Sequence, residues 1–102
     1  MMSFAPNKDA TVNVAAATTS ASVNIVGAAG GDQIRVMNNA TAIVFISFGD
    51  SSVVVTATTG VPIPSGGVEV FSDIMPSSGA LYAAVIAPSG TGNVYFTPGS
   101  GI

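Results

Sequence analysis

Apolar residues never recur at helical spacing along this chain; they come in short β-branched runs, cut every few residues by Gly, Ser, Thr, Asn or Pro. No window places them at i, i+3, i+4 and i+7 with Glu, Lys or Leu filling the remainder. Regularly spaced short strands with turn residues between them are the signature of a sandwich or barrel. The pattern predicts about eight strands, over 11–16, 22–26, 33–38, 42–48, 53–56, 68–72, 81–87 and 93–97. Residues 1–10 precede the first strand and read as an N-terminal arm, leaving 11–102 as one β-sandwich domain of ordinary single-domain length.

The strands differ in how they bury their faces. Val12-Asn13-Val14 and Val23-Asn24-Ile25 alternate plainly, with the asparagines towards water, and Ile34-Arg35-Val36 leaves Arg35 on the outer face. The run 42–48 is apolar on both sides, with Val44, Ile46 and Phe48 on one and Ile43 and Phe45 on the other. Loops or a partner must cover the second side. Tyr82 and Tyr95 suit half-wet positions. Asn38-Asn39 is expected to form a tight turn, and Gly90-Thr91-Gly92 a hairpin turn. The segment 57–67 is the longest connector, held extended by Pro62 and Pro64. A long crossing in the middle of the strands favours a Greek-key, jelly-roll order over a meander.

Charge is scarce. The chain has two basic and five acidic residues and a net charge of −3: Lys8, Asp9, Asp32, Arg35, Asp50, Glu69 and Asp73. A nucleic-acid site needs several Lys or Arg on one face, so no nucleic acid is expected. The longest apolar stretches, 42–46 and 83–87, fall far short of the about 20 residues of a spanning helix, and no membrane partner is expected. Hydrophobic residues make up 48% and charged residues 7%, where about 25% charged is ordinary. A polar but uncharged surface suits a protein packed against neighbours. The N-terminus lacks a basic start followed by an apolar run, so the product is expected to remain at first in the cytoplasm where it is made.

Catalytic chemistry has little to work with. There is no histidine or cysteine, which removes the commonest general base, the commonest metal ligand and thiol chemistry together. Asp50 and Glu69 are the carboxylates that could be nominated for glycoside hydrolysis, but their spacing carries no signal, and they read as solvent-facing turn and strand residues. Calcium is the ion best suited to the oxygen ligands present. Asp50-Ser51-Ser52 and Gly30-Gly31-Asp32 each hold a single carboxylate, so both read as loop caps. No catalytic residue, cofactor or metal site is expected. Asn39-Ala40-Thr41 matches a glycosylation sequon, a triplet short enough to recur by chance.

The series Ile34-Arg35-Val36-Met37-Asn38-Asn39, Val44-Phe45-Ile46-Ser47-Phe48-Gly49-Asp50 and Val61-Pro62-Ile63-Pro64-Ser65-Gly66-Gly67-Val68-Glu69-Val70-Phe71 resembles small virion proteins of tailed bacteriophages. Leu81-Tyr82-Ala83-Ala84-Val85-Ile86-Ala87 and the end of the chain from Gly92 to Ile102 extend the resemblance, which spans 33–102 and leaves 1–32 outside. It implies a jelly-roll capsid cement, or decoration, protein on the virion exterior, clamping neighbouring major capsid protein subunits and assembling as a dimer or trimer. On this reading Met2, Phe4 and Pro6 in the arm, and Val61, Pro62, Ile63 and Pro64 in the long connector, are the candidate partner interface. The alternative for Phe4 is a contact with its own domain. The alternative function is a neck, tail-fibre or spike module that binds protein or host glycan; the absence of Trp and the presence of only two Tyr weigh against sugar recognition.

Overall fold

Strand β4 (Gln33–Ala40) shows how this sequence becomes a sheet. Its even positions, Ile34, Val36, Asn38 and Ala40, are buried, and the odd ones, Arg35, Met37 and Asn39, are exposed. Period-2 burial of this kind fits a strand with one face on a core and one on solvent. The computed structural model describes residues 5–7, 10–25, 33–72 and 81–100. Within them the strands are β1 (Ala5–Pro6), β2 (Val12–Ala16), β3 (Ala21–Asn24), β4, β5 (Val44–Gly49), β6 (Val61–Ile63), β7 (Val68–Ser72), β8 (Tyr82–Ile86) and β9 (Gly92–Ser100). No described residue is helical.

The strands form two antiparallel sheets packed as a sandwich. One, sheet A, runs β2–β9–β4–β7, with β1 continuing the β2 lane along β9; the other, sheet B, runs β3–β8–β5–β6. The all-β sandwich expected from the sequence is therefore present. Between the sheets lie Val14, Ile34, Val36 and Phe96 from sheet A and Val44, Ile46, Ile63 and Val85 from sheet B. Phe48 packs its ring 5.3 Å from Phe71 and 6.1 Å, edge-on, from Phe96, so aromatic contacts also bridge the sheets.

The connectors 17–20, 41–43, 64–67 and 87–91 each carry the chain from one sheet to the other. They gather at one end and are tied together. Ala87 N–H donates to Ala17 O at 2.8 Å, Thr41 N–H to Thr91 O at 2.9 Å, and Gly66 N–H to Asn38 O at 2.8 Å. Asn38 is the centre of this end. Its Nδ2 donates to Ile63 O at 2.9 Å and to Ala42 O at 3.0 Å, and its Oδ1 accepts from Ala40 N–H at 2.8 Å. One side chain thus joins β4, the turn after it and the opposite sheet.

Several local expectations change in three dimensions. Asn38 and Asn39 are not a turn; they belong to β4, because burial with all-round hydrogen bonding outweighs the turn preference of Asn. Residues 53–56 form no strand, since both lanes beside β5 are filled, by β8 and β6. The strand instead falls at Val61–Ile63, inside the segment expected to be an extended connector. Gly90-Thr91-Gly92 is not a hairpin turn but part of the crossing from β8 in sheet B to β9 in sheet A, with Gly92 at φ 136°. Part of the expected N-terminal arm, Ala5–Pro6, pairs with Gly99 and Ser100 of β9. The expected loop Gly30-Gly31-Asp32 lies outside the described residues.

Candidate interaction surface

The two outer faces of the sandwich are unlike. On sheet B the outward positions of β5 and β8 include Phe45, Ser47, Tyr82, Ala84 and Ile86, by alternation with the buried Ile46, Ala83 and Val85. This is the second apolar side of the 42–48 run, and the connector 50–60 lies over it. Asp50 starts that connector by accepting from Ser52 N–H at 2.9 Å and Ser52 Oγ–H at 2.6 Å. These bonds hold the Asp50 carboxyl below its ordinary range, the serine hydroxyl contributing most. The expected loop-capping role of Asp50 is what its contacts describe.

Beyond that turn, Val55 is 1% exposed yet stands outside the cluster between the sheets. Its amide donates to Ser20 Oγ at 3.1 Å. A methyl group added at Gly60 would meet Val55 Cγ2 at 2.6 Å and Phe45 Cβ at 2.8 Å. Val55, Gly60 and Phe45 therefore form a small second core on the outside of sheet B. A Thr56-Thr58-Thr59 hydroxyl cluster closes the connector, and Gly60 N–H donates to Thr56 O at 3.0 Å. Loop cover accounts for the Phe45 part of the second apolar side, while Ile43 at its start stays 41% exposed.

Sheet A has no such cover among the described residues. The register sets Val68, Met37, Tyr95 and Asn13 in one outward row across the sheet, and Val70, Arg35 and Thr97 in the next. Thr11 joins the second row through a 2.9 Å hydroxyl contact with Thr97. Met37, Val68 and Val70 are 41%, 42% and 46% exposed. Thr11, Arg35, Met37, Tyr95 and Thr97 line a shallow depression of about 350 Å³. A guanidinium, three hydroxyls and a thioether around an apolar strip offer hydrogen bonding and packing, and no carboxylate or imidazole is among these lining residues.

The sequence-predicted interface residues are spread over the molecule. Met2 and Phe4 lie outside the described residues. Pro6 is exposed in β1, on the edge of sheet A. Val61, Pro62 and Pro64 are exposed, whereas Ile63 is fully buried between the sheets; Ile63 holds the connector down and offers no side chain to a partner. Glu69 is exposed on β7 of sheet A, and Asp50 follows β5 of sheet B. Among the described residues no three of His, Cys, Asp and Glu stand together, and no helix is long and apolar enough to cross a membrane.

Tyr95, expected at a half-wet position, is half-buried on this face, whereas Met37, Val68 and Val70 did not stand out in the sequence. Their signal is in Val68-Glu69-Val70-Phe71, where strict alternation forces the valines and the phenylalanine to opposite faces. Phe71 goes to the core with Phe48, so the valines go out. No protein-family model matches this chain, and no curated protein or solved structure matches it.

Proposed function

We propose that this chain is a non-enzymatic structural protein of a tailed-phage virion, a jelly-roll cement protein that binds the capsid exterior and stabilises neighbouring major capsid subunits. Strand order supports the jelly-roll reading. β2 pairs with β9, β3 with β8, β4 with β7 and β5 with β6, all antiparallel. That is one long hairpin, and the further pairs β4–β9 and β5–β8 close it into two sheets.

The observation that carries the functional reading is the difference between the two outer faces. The chain lays its longest described connector over part of sheet B, where Ile43, Val54 and Val61 remain exposed, while the strip of Met37, Val68 and Val70 on sheet A has no such cover among the described residues. An exposed apolar strip beside a few polar groups marks a protein interface. A cement protein needs such a face and no active site. It favours the assembled shell by binding it and not its separated subunits, and repeated contacts add by avidity.

The test is addition of the purified protein to expanded shells lacking it, followed by calorimetry. Saturable binding and a raised temperature of shell disruption are expected, both abolished by Met37→Glu with Val68→Glu. Shells that neither bind the protein nor gain stability overturn the reading. Virions holding a few copies at a single vertex would instead favour a neck or fibre module.

A further inference from the structure

Among the described residues strand β7 ends sheet A and pairs with β4 alone. Asn38 N–H donates to Gly67 O at 3.0 Å, and the register continues from Met37 opposite Val68 to Gln33 opposite Ser72. Bonded and non-bonded pairs alternate along an antiparallel ladder. Glu69 and Phe71 therefore turn their backbone groups to β4, and Val68, Val70 and Ser72 turn theirs to the free edge. All three of these residues are exposed.

Open edges are commonly blunted by proline, charged side chains, bulges or brevity. The other lanes of this sandwich show such devices. β6 is three residues long and contains Pro62; the β1–β2 lane contains Pro6 and is interrupted before Val12; β3 has four residues and turns only Ser22 and Asn24 outwards. β7 has five residues, no proline and a single charge, Glu69, fewer such devices for its length than the other lanes.

We propose that β7 joins two copies of this chain, pairing antiparallel about a twofold axis at Val70. The outward set Val68, Val70 and Ser72 is symmetric about its middle member. In that register Val70 meets Val70 of the second copy, and Val68 meets Ser72 in both directions, so no outward backbone group is left over. Such an isologous contact is self-complementary, and it adds strands by main-chain bonding. The charges agree with it. Glu69 faces Phe71 of the second copy rather than another carboxylate. The two Arg35 side chains stand three strand spacings, about 14 Å, apart, beyond the screening length of about 8 Å at physiological salt. A dimer made face to face through sheet A would instead bring the two Arg35 together. The pairing uses the edge of sheet A, leaves its outer face free, and is independent of the capsid proposal.

Sedimentation equilibrium from micromolar to near-millimolar protein tests it with Val70→Pro. Proline at 70 removes an outward N–H and none of the bonds between β7 and β4, so the fold is retained. The wild type is expected to reach twice the monomer mass, and the Val70→Pro variant to stay at monomer mass with an unchanged circular dichroism spectrum. A wild type that stays monomeric, or a folded Val70→Pro variant that still dimerises, overturns the proposal. If Val70→Pro does not fold, Val70→Lys decides, since it sets like charges face to face on the axis. Loss of the dimer there supports the pairing, and its persistence overturns it.

Discussion

Replacing Asn38 by Ala removes the one buried polar side chain among the described residues and tests whether it fastens the two sheets. Three hydrogen bonds go: Nδ2 to Ile63 O, Nδ2 to Ala42 O, and Ala40 N–H to Oδ1. At about 1 kcal/mol net per bond, the loss starts near 3 kcal/mol. Ala40 N–H is then buried without a partner, which costs about 1–3 kcal/mol in place of its share of that sum, whereas Ile63 O keeps its ladder bond from Val44 N–H. The part-buried Ala42 O can turn to water. The expected destabilisation is about 3–5 kcal/mol, a large share of the roughly 5–15 kcal/mol that holds a domain together. In urea unfolding followed by circular dichroism, with a slope of about 1–3 kcal/mol/M, the midpoint should fall by about 1 M or more. Asn38→Asp gives a second readout. It keeps the acceptor for Ala40 N–H but sets a buried carboxylate against two carbonyl oxygens, so its folded pKa is raised above its unfolded value of about 3.9. The folded state then binds more protons, and the variant should regain stability relative to wild type as the pH falls towards that unfolded value. A loss below about 1 kcal/mol for Asn38→Ala would refute the reasoning, because it would leave no room for the lost bonds and an unpaired buried Ala40 N–H.

Gly92→Ala should unfold the protein or cost more than about 2 kcal/mol, because a β-carbon there meets Ala40 Cα at 2.6 Å and Asn39 O at 2.9 Å at φ +136°; thermal unfolding reads it, and a near-neutral result contradicts the close approach of β9 to β4. Gly60→Ala should cost about 1–3 kcal/mol by lifting Val55 from Phe45, and limited proteolysis should then cut within 50–60 while the wild type resists; equal resistance contradicts the covering role of the connector. Asp50 should titrate by carbon-detected NMR below 3.8, and Ser52→Ala should move it back up. The sign is that of a depressed carboxylate: its stabilising bond is fully present above the unfolded pKa and is lost as the pH falls through the folded one.

What the sequence revealed best was what depends on period and inventory. Alternation in Val12-Asn13-Val14 and Ile34-Arg35-Val36 gave strands and their outward residues, and the sparse charges made one sandwich with little chemistry the natural expectation. Placement failed where tertiary contacts override local preference. Asn38-Asn39 has turn chemistry in isolation, but Asn38 is kept in a strand by partners that reach from residues 40, 42 and 63. Val53-Val54-Val55 has strand composition, yet the neighbouring lanes are occupied and Val55 instead becomes the lid of sheet B. Ile63 and Val61 looked alike in the connector and take the same core-side register, opposite Val44 and Ile46, yet only Ile63 is buried. The open row on sheet A was hidden because Val68, Val70 and Phe71 are all apolar, and only the aromatic packing of Phe71 on Phe48 decides which side faces out.

The most direct test of the proposed capsid role is a cryo-EM map of tailed-phage capsid shells mixed with this protein, at a resolution that distinguishes the two sheets. The account predicts a sandwich at every equivalent position of the capsid lattice, with Met37, Val68 and Tyr95 of sheet A against major capsid protein and the connector 50–60 turned to solvent. A lattice free of the sandwich, or one in which it docks through the connector while sheet A faces solvent, would contradict it.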